Sequence, residues 1–389
     1  MSLKGTRLRC GLLFSPSMPT ETRPILPRLL LGPGPSNVQP RVLAAMGQPL
    51  LGHLDPAFLA ILDEVQARLR RVFGTRNALT LPLSAPGSAG MECCLANLLE
   101  PGDAAVVGVA GVFGERLCEV ARRIGARVTR VECSWGEALD PGEMRSAINK
   151  VRPRVVALVH AETSTGVLQP VAEIAQATRE ADALLVLDCV TSLGGVPLRL
   201  DDWGVDAAYS GTQKCLSCPP GLSPVSFGER ALRRVRRRKQ PVQSWFMDVG
   251  LLGAYYGGGA RVYHHTAPIS AIYALAEGLR IVEEEGMAAR AERHREAGRA
   301  LITQMQALNL VPLVAEPLRL PPLTTLRLPA ALRGAAEAKL RRRLLDEHGI
   351  EIGAGLGPLA GEVWRIGLMG ENAQRHCVER LAAALRALL

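Results

Sequence analysis

Lys214 lies in 209-YSGTQKCLSCPPG-221, just beyond a short apolar run and ahead of a Pro-Pro-Gly turn. Lysines ordinarily sit on solvated surfaces. A lysine held among small residues at a strand end loses solvation. Its pKa then falls, and the neutral amine can form a Schiff base with an aldehyde. Taken alone, the stretch also fits an exposed loop lysine. Asp188 closes the apolar run 184-LLVLD-188, 26 residues before Lys214. An acid at the end of a buried strand is costly unless paired, and a protonated heteroaromatic nitrogen would pair it. The interval suits one crossover helix plus one strand, so both residues can emerge on one edge of a parallel sheet.

Three further strand ends carry matching chemistry. In 84-SAPGSAGMECC-94 small residues lead into a helix, whose first N–H groups form a natural phosphate cradle. Phe113, in 111-GVFGE-115, could stack on a flat ring. The segment 160-HAETSTGVLQP-170 offers hydroxyls that need partners when buried. Each feature alone has a bland reading: a tight turn, a core aromatic, a polar loop. Together they describe one cofactor. Pyridoxal phosphate requires a lysine for its aldehyde, a carboxylate for its ring nitrogen, an aromatic wall and an anion site.

The elements that must position these residues are legible in outline. Residues 56–73 carry apolar positions at helical spacing, with Asp55 as N-cap and Pro56 at the first helical position. Apolar runs at 104–110, 154–160 and 183–188 read as buried strands, separated by helical segments near 114–124, 141–150 and 171–180. This alternation predicts a mostly parallel sheet covered on both faces, with ligands beyond the strands' carboxyl ends. Helices are expected at 268–286 and 288–307, then a strand at 323–328 and a helix at 332–347. Strands at 349–352 and 362–368 and a helix at 372–388 complete the pattern. The domain reading is an N-terminal arm (1–28), a large cofactor-binding α/β domain (29–286) and a small C-terminal α+β domain (287–389).

Composition narrows the function classes. The 389 residues are 48% hydrophobic and 21% charged, and no apolar run is long enough to span a bilayer. The net charge of +9 has its densest run at 233-RRVRRRK-239. With 4% aromatic residues and no reading motif, this reads as a solvated helix face, and no nucleic-acid partner is expected. The nine cysteines are odd in number and scattered, as expected of reduced intracellular thiols. Cys215 and Cys218 form a C-x-x-C without a second pair, so no metal site is expected. His264 and His265 are adjacent, so their side chains are expected to point apart as structural residues. The first thirty residues are basic and poor in acids, in the manner of a mitochondrial presequence, but Pro19, Pro24 and Pro27 favour an arm.

The chain resembles the alanine–glyoxylate and serine–pyruvate aminotransferases, class V pyridoxal phosphate enzymes of fold-type I. The resemblance runs from about residue 29 to the end. It rests on 30-LLGPGPSNVQPRV-42, 97-NLLEPGD-103, 164-STGVLQP-170, 186-VLDCVTSLGG-195, 209-YSGTQK-214, 218-CPPG-221, 263-YHHT-266, 355-GLGP-358 and 364-WRIGLMG-370. It implies that Lys214 holds the cofactor aldehyde and shuttles the substrate proton, and that Asp188 keeps the ring nitrogen protonated. Phe113 would stack on the ring, with Thr163 at its O3′ side and Val190 beside it. Gly87, Ser88 and Gln213 would bind the phosphate. Tyr263 and Thr266 would reach the phosphate of a neighbouring subunit, which implies a homodimer. Arg365 would clamp the substrate carboxylate, near Gly34 and Asn37.

Departures from the family pattern are visible too. Pro86 stands where a hydroxyl residue is usual, which removes an N–H as well. Ser88 replaces a histidine found in close animal relatives. Tyr255 and Tyr256, in 254-AYYGGG-259, are expected in a loop that tends to vary with substrate. No second cation for a dicarboxylate is evident, so small amino acids (alanine or serine) with glyoxylate or pyruvate are the expected substrates, exchanged by a ping-pong scheme. The rival readings are a transaminase for a larger amine such as 3-hydroxykynurenine, a lyase or desulfurase using Cys215 or Cys218, and a non-enzymatic anion- or nucleic-acid-binding protein. An intracellular location is expected.

Overall fold

The computed structural model describes residues 25–258 and 261–389. Most of the expected arm, and Gly259 of the 254-AYYGGG-259 stretch, lie outside these residues. The first long helix, Pro56–Phe73, forms as its spacing predicts. The Asp55 carboxylate accepts from the Ala57 amide at 2.8 Å, and Pro56 needs no partner at its position. Gly74 ends the helix in the left-handed region at φ 64°, where a Cβ would lie 2.3 Å from the Leu198 carbonyl oxygen. Any side chain there would displace the backbone.

A seven-stranded sheet carries most of the core. Its order is Leu79–Leu83, Ser223–Phe227, Ala207–Tyr209, Leu184–Asp188, Val155–Val159, Ala104–Val109 and Arg127–Glu132. Ser223–Phe227 runs antiparallel to both neighbours, and the other described pairings are parallel. Every residue of Val155–Val159, Leu184–Asp188 and Ala207–Tyr209 is buried. Successive side chains on a strand point to opposite faces, so both faces are covered, as continuous apolar runs predict. Each fully buried Val or Leu contributes on the order of 2 kcal/mol, which makes this sheet a rigid platform for whatever leaves its strand ends.

The second sheet has five strands, ordered Leu29–Leu31, Ile350–Ala354, Val363–Gly367, Leu323–Arg327 and Val311–Pro312. Its first pair is parallel, with Leu30 opposite Glu351, and the rest are antiparallel. Leu31 packs with Trp364, Ile366, Leu344 and Leu381 in a core separate from that of the large sheet. The sequence reading put residues from 29 onward with the cofactor-binding part, yet this strand hydrogen-bonds to the C-terminal sheet. Three residues are too few to show periodicity, and strand partners are not written locally. The consequence matters for the site: just after Leu31, the chain passes from one sheet across the strand ends of the other.

Candidate active site

Leu184–Asp188 and Ala207–Tyr209 are adjacent parallel strands, with Asp188 opposite Tyr209. Five residues beyond Tyr209, Lys214 comes back beside Asp188, and both line one cavity. Lys214 is 9% exposed. Its Nζ donates to the Pro33 carbonyl, while its own carbonyl accepts from Ser36 Oγ at 2.8 Å. Gly34 lies against it at φ 108°, and a Cβ there would come within 2.6 Å of Lys214 Cδ. The segment leaving Leu29–Leu31 therefore forms a wall over the lysine that only glycine permits. Loss of solvent lowers the Lys214 pKa to about 8; the nearby Arg365 charge adds to this, and Cys215 and Asp188 oppose it.

Asp188 is almost fully buried and accepts two short bonds. Tyr209 Oη donates to Oδ2 at 2.7 Å, and the Val190 amide to Oδ1 at 2.8 Å. Burial pushes its pKa up to about 6, against those bonds and the Lys214 and Arg116 charges. Above that pH the site holds a carboxylate in a place prepared for a positive partner.

The remaining walls come from two helix starts. Gly87–Leu98 begins after Pro86, which caps it in extended conformation with no side-chain bond. Among the described residues the Gly87 and Ser88 amides find no backbone acceptor. Gly87 packs so closely that a Cβ would lie 3.3 Å from both the Ser210 carbonyl oxygen and Val190 Cγ2. Gln213 brings a buried side-chain oxygen without a partner. On the other side, Val112–Arg123 begins where the Val112 amide donates to Ser164 Oγ at 3.0 Å. Glu162 anchors Ser164, accepting from its amide at 3.0 Å and its hydroxyl at 2.6 Å. Burial raises the Glu162 pKa. This anchored helix start holds Phe113 in the wall of the cavity that Thr163 also lines.

Thus Gly87, Ser88, Phe113, Thr163 and Val190 join Gln213, Asp188 and Lys214 around one cavity. Arg365 approaches from the second sheet. It is 6% exposed, and its Nε donates to the Ala354 carbonyl at 2.6 Å and Nη1 to the Thr163 carbonyl at 3.0 Å. Burial lowers its pKa to about 10, still far above neutrality. Tyr263 and Thr266 stand exposed and apart from this cavity, Tyr263 against His53 with ring centroids 5.1 Å apart.

Four expectations change. Asn37 does not line the cavity; its side chain accepts from the Leu30 amide at 2.9 Å and donates to the Arg28 carbonyl at 2.8 Å, tying down the first strand. His264 and His265 do not point apart: their Nδ1 atoms are 2.9 Å from each other, and His265 Nε2 meets Ser84 Oγ at 2.7 Å. They lie outside any strand, so neighbouring side chains need not diverge. Tyr255 and Tyr256 end the helix Val249–Tyr256, both buried, with hydroxyls donating to the His53 and Pro82 carbonyls at 3.0 Å. Finally, a second cation is present in the cavity wall, Arg116. Its position follows from helical spacing, three residues after Phe113, and that signal was available in the sequence. Tyr209 and Glu162 were also missed. Tyr209 stood directly before the Ser-Gly-Thr-Gln-Lys run, but a tyrosine at a strand end says nothing of its partner.

A buried amine and a buried carboxylate at the strand ends of a covered parallel sheet, with a helix-start anion site beside them, define a group-transfer enzyme of fold-type I. The chain matches the aminotransferase class-V family over residues 29–372 and belongs to that family. It is 44% identical over 365 residues to alanine–glyoxylate aminotransferase of Oryctolagus cuniculus, which covers 93% of this chain and 92% of that protein. It is 38% identical over 380 residues to (S)-ureidoglycine–glyoxylate transaminase of Bacillus subtilis, covering 93% and 90%. A crystal structure of an alanine–glyoxylate aminotransferase from Nostoc sp. superposes with a TM-score of 0.93 at 48% identity, covering 95% of this chain and 97% of that one.

This family works with pyridoxal phosphate, and the residues present fit it. The neighbouring Lys214 and Asp188 match its aldehyde and ring nitrogen. The unspent Gly87 and Ser88 amides and the unpartnered Gln213 side chain match its phosphate, since an amide can present either its oxygen or its nitrogen. Among the described residues no helix is long and apolar enough to cross a membrane.

Proposed function

We propose that this aminotransferase moves the amino group of a small L-amino acid, alanine or serine, to glyoxylate or pyruvate. The observation that carries the reading is Lys214, desolvated and next to Asp188 in one cavity. The relatives named for glyoxylate support the acceptor. When bound, pyridoxal phosphate supplies an aldehyde that exchanges amino groups and a ring that stores the electron pair left at the substrate α-carbon. The protein's own residues do the rest. Lys214 would hold the aldehyde and give way to an incoming amine. Its freed Nζ, neutral in a useful fraction near pH 8, then takes the α-proton and returns it on the other side of the exchange. Asp188 keeps a proton on the ring nitrogen. Phe113 and Val190, which line the cavity, would keep water from a bound ring. Gly87, Ser88 and Gln213 hold the phosphate, and Gly34 leaves the lysine room to swing.

Arg365 binds the substrate carboxylate with the part of its guanidinium not spent on Ala354 and Thr163. Because those two carbonyls fix the fork in advance, little entropy is lost on binding. Arg365→Gln is expected to raise KM for the amino donor by about 10²-fold. The cofactor spectrum of the loaded protein should stay unchanged. An unchanged KM would remove Arg365 from the substrate site.

Tyr263, Thr266 and the exposed apolar Trp245, Val262, Leu50 and Leu54 support a homodimer in which a second copy covers this face and shares the site. The test of the whole reading is spectroscopic. A band near roughly 420 nm in the protein loaded with pyridoxal phosphate should fall with L-alanine and return with glyoxylate. A band that neither alanine nor serine moves would overturn the substrate assignment.

A further inference from the structure

Arg116 has an unspent charge at the site's anion-binding edge. It sits one helical turn beyond Phe113, with its guanidinium carbon 4.9 Å from the Phe113 ring centroid. Its Nη1 reaches Ser88 Oγ at 3.4 Å, the long limit of a hydrogen bond. Among the described residues it makes no carboxylate pair, whereas its neighbours Arg123 and Arg130 bond Glu119 and Glu115. The guanidinium thus lies over the aromatic wall with one end at the helix start Gly87–Ser88. That helix start is short of donors. Pro86 brings neither N–H nor hydroxyl, and the Ala89 amide is already spent on the Pro86 carbonyl at 2.8 Å. Within one subunit a phosphate dianion there would meet two amides and the Gln213 side chain, with no full positive charge among them.

Resting on the pyridoxal phosphate reading above, we infer that Arg116 takes the phosphate end of the cofactor, supplying a positive charge and donors in place of those that Pro86 withdraws from the loop. The guanidinium fork matches phosphate oxygens, and its weak bond to Ser88 is easily exchanged for stronger ones. Ser88 then acts as the pivot: its small side chain leaves space for the arginine to cross the loop.

The test is cofactor affinity on the full-length protein, freed of cofactor and titrated with pyridoxal phosphate and, separately, with pyridoxal. Arg116→Met keeps the stem on Phe113 and removes the charge. It should weaken pyridoxal phosphate binding by about tenfold or more, as for a lost charge-assisted contact, and leave pyridoxal binding unchanged. In a Pro86→Ser background the same change should cost markedly less, because a hydroxyl and an N–H have returned. Equal losses for the two ligands would mean that Arg116 acts only through Phe113, and would overturn the proposal. Equal losses in the two backgrounds would overturn the substitution for Pro86. If the unaltered protein bound neither ligand while remaining folded, the cofactor reading itself would fall, a result distinguishable from either.

Discussion

Lys214→Ala lowers transamination by at least about 10⁴-fold, since it removes both the attachment point and the base that moves the α-proton. The measurement is single-turnover conversion of alanine by protein saturated with pyridoxal phosphate. A loss below tenfold would mean that another group performs the proton transfer. A second expectation separates chemistry from folding. The lysine is held where its charge is costly: burial takes its pKa from the usual 10.5 down to about 8. Below pH 8 the folded state carries the whole cost of that buried charge. Between about 8 and 10.5 the folded protein binds fewer protons than the unfolded chain, so the cost shrinks as pH rises. Cofactor-free Lys214→Met should therefore melt above the cofactor-free parent at pH 7. That margin should narrow as pH approaches 10. A site that trades stability for reactivity behaves this way. A Met variant that melts lower at pH 7 would mean the lysine is not a strained group.

How far the sequence foretold this site depends on how each residue is placed. Lys214, Asp188, Phe113 and Thr163 follow strand ends, and a parallel sheet brings strand ends to one edge whatever the side chains in between. Local pattern was enough to single out Lys214, Asp188, Phe113 and the polar segment 160–170, while Thr163 within it came from the resemblance. Arg365 was found by resemblance alone, because no local signal says that a strand of a second sheet will donate to the Thr163 carbonyl. Asn37 was misjudged for the same reason. Its side chain serves the strand Leu29–Leu31, whose partner Ile350–Ile352 lies more than three hundred residues away. Glu162 illustrates a third case. A buried acid looks unfavourable in sequence, yet here it fastens the helix start that aims Phe113, through Ser164. Local rules fail where a polar group is satisfied by a distant part of the chain.

Asp188→Asn is expected to cost about 10²- to 10³-fold in rate, the range for removing one preorganised charge from a dry site. The asparagine preserves shape: its oxygen can accept from the Val190 amide while its NH2 donates to the Tyr209 hydroxyl, which turns to accept, so the loss reports chiefly the negative charge. The charge has its own signature in pH. Burial raises Asp188 to about 6, so the carboxylate forms only as pH rises through that value. The ratio of cofactor affinities, parent over Asp188→Asn, should therefore grow with pH through about 6 and level off above it; titration of the cofactor itself cancels in the ratio. Tyr209 donates to the carboxylate at 2.7 Å and so favours its charged form. Tyr209→Phe removes that bond and should move the same limb upward by roughly one pH unit, the equivalent of one hydrogen bond to a charge. A limb that moved downward, or a ratio flat from pH 5 to 8, would mean that Asp188 is ionised throughout and that its hydrogen bonds outweigh its burial. A limb near 6 that Tyr209 controls would show that the strand pair sets the proton at the ring nitrogen, because Asp188 and Tyr209 stand opposite each other in register.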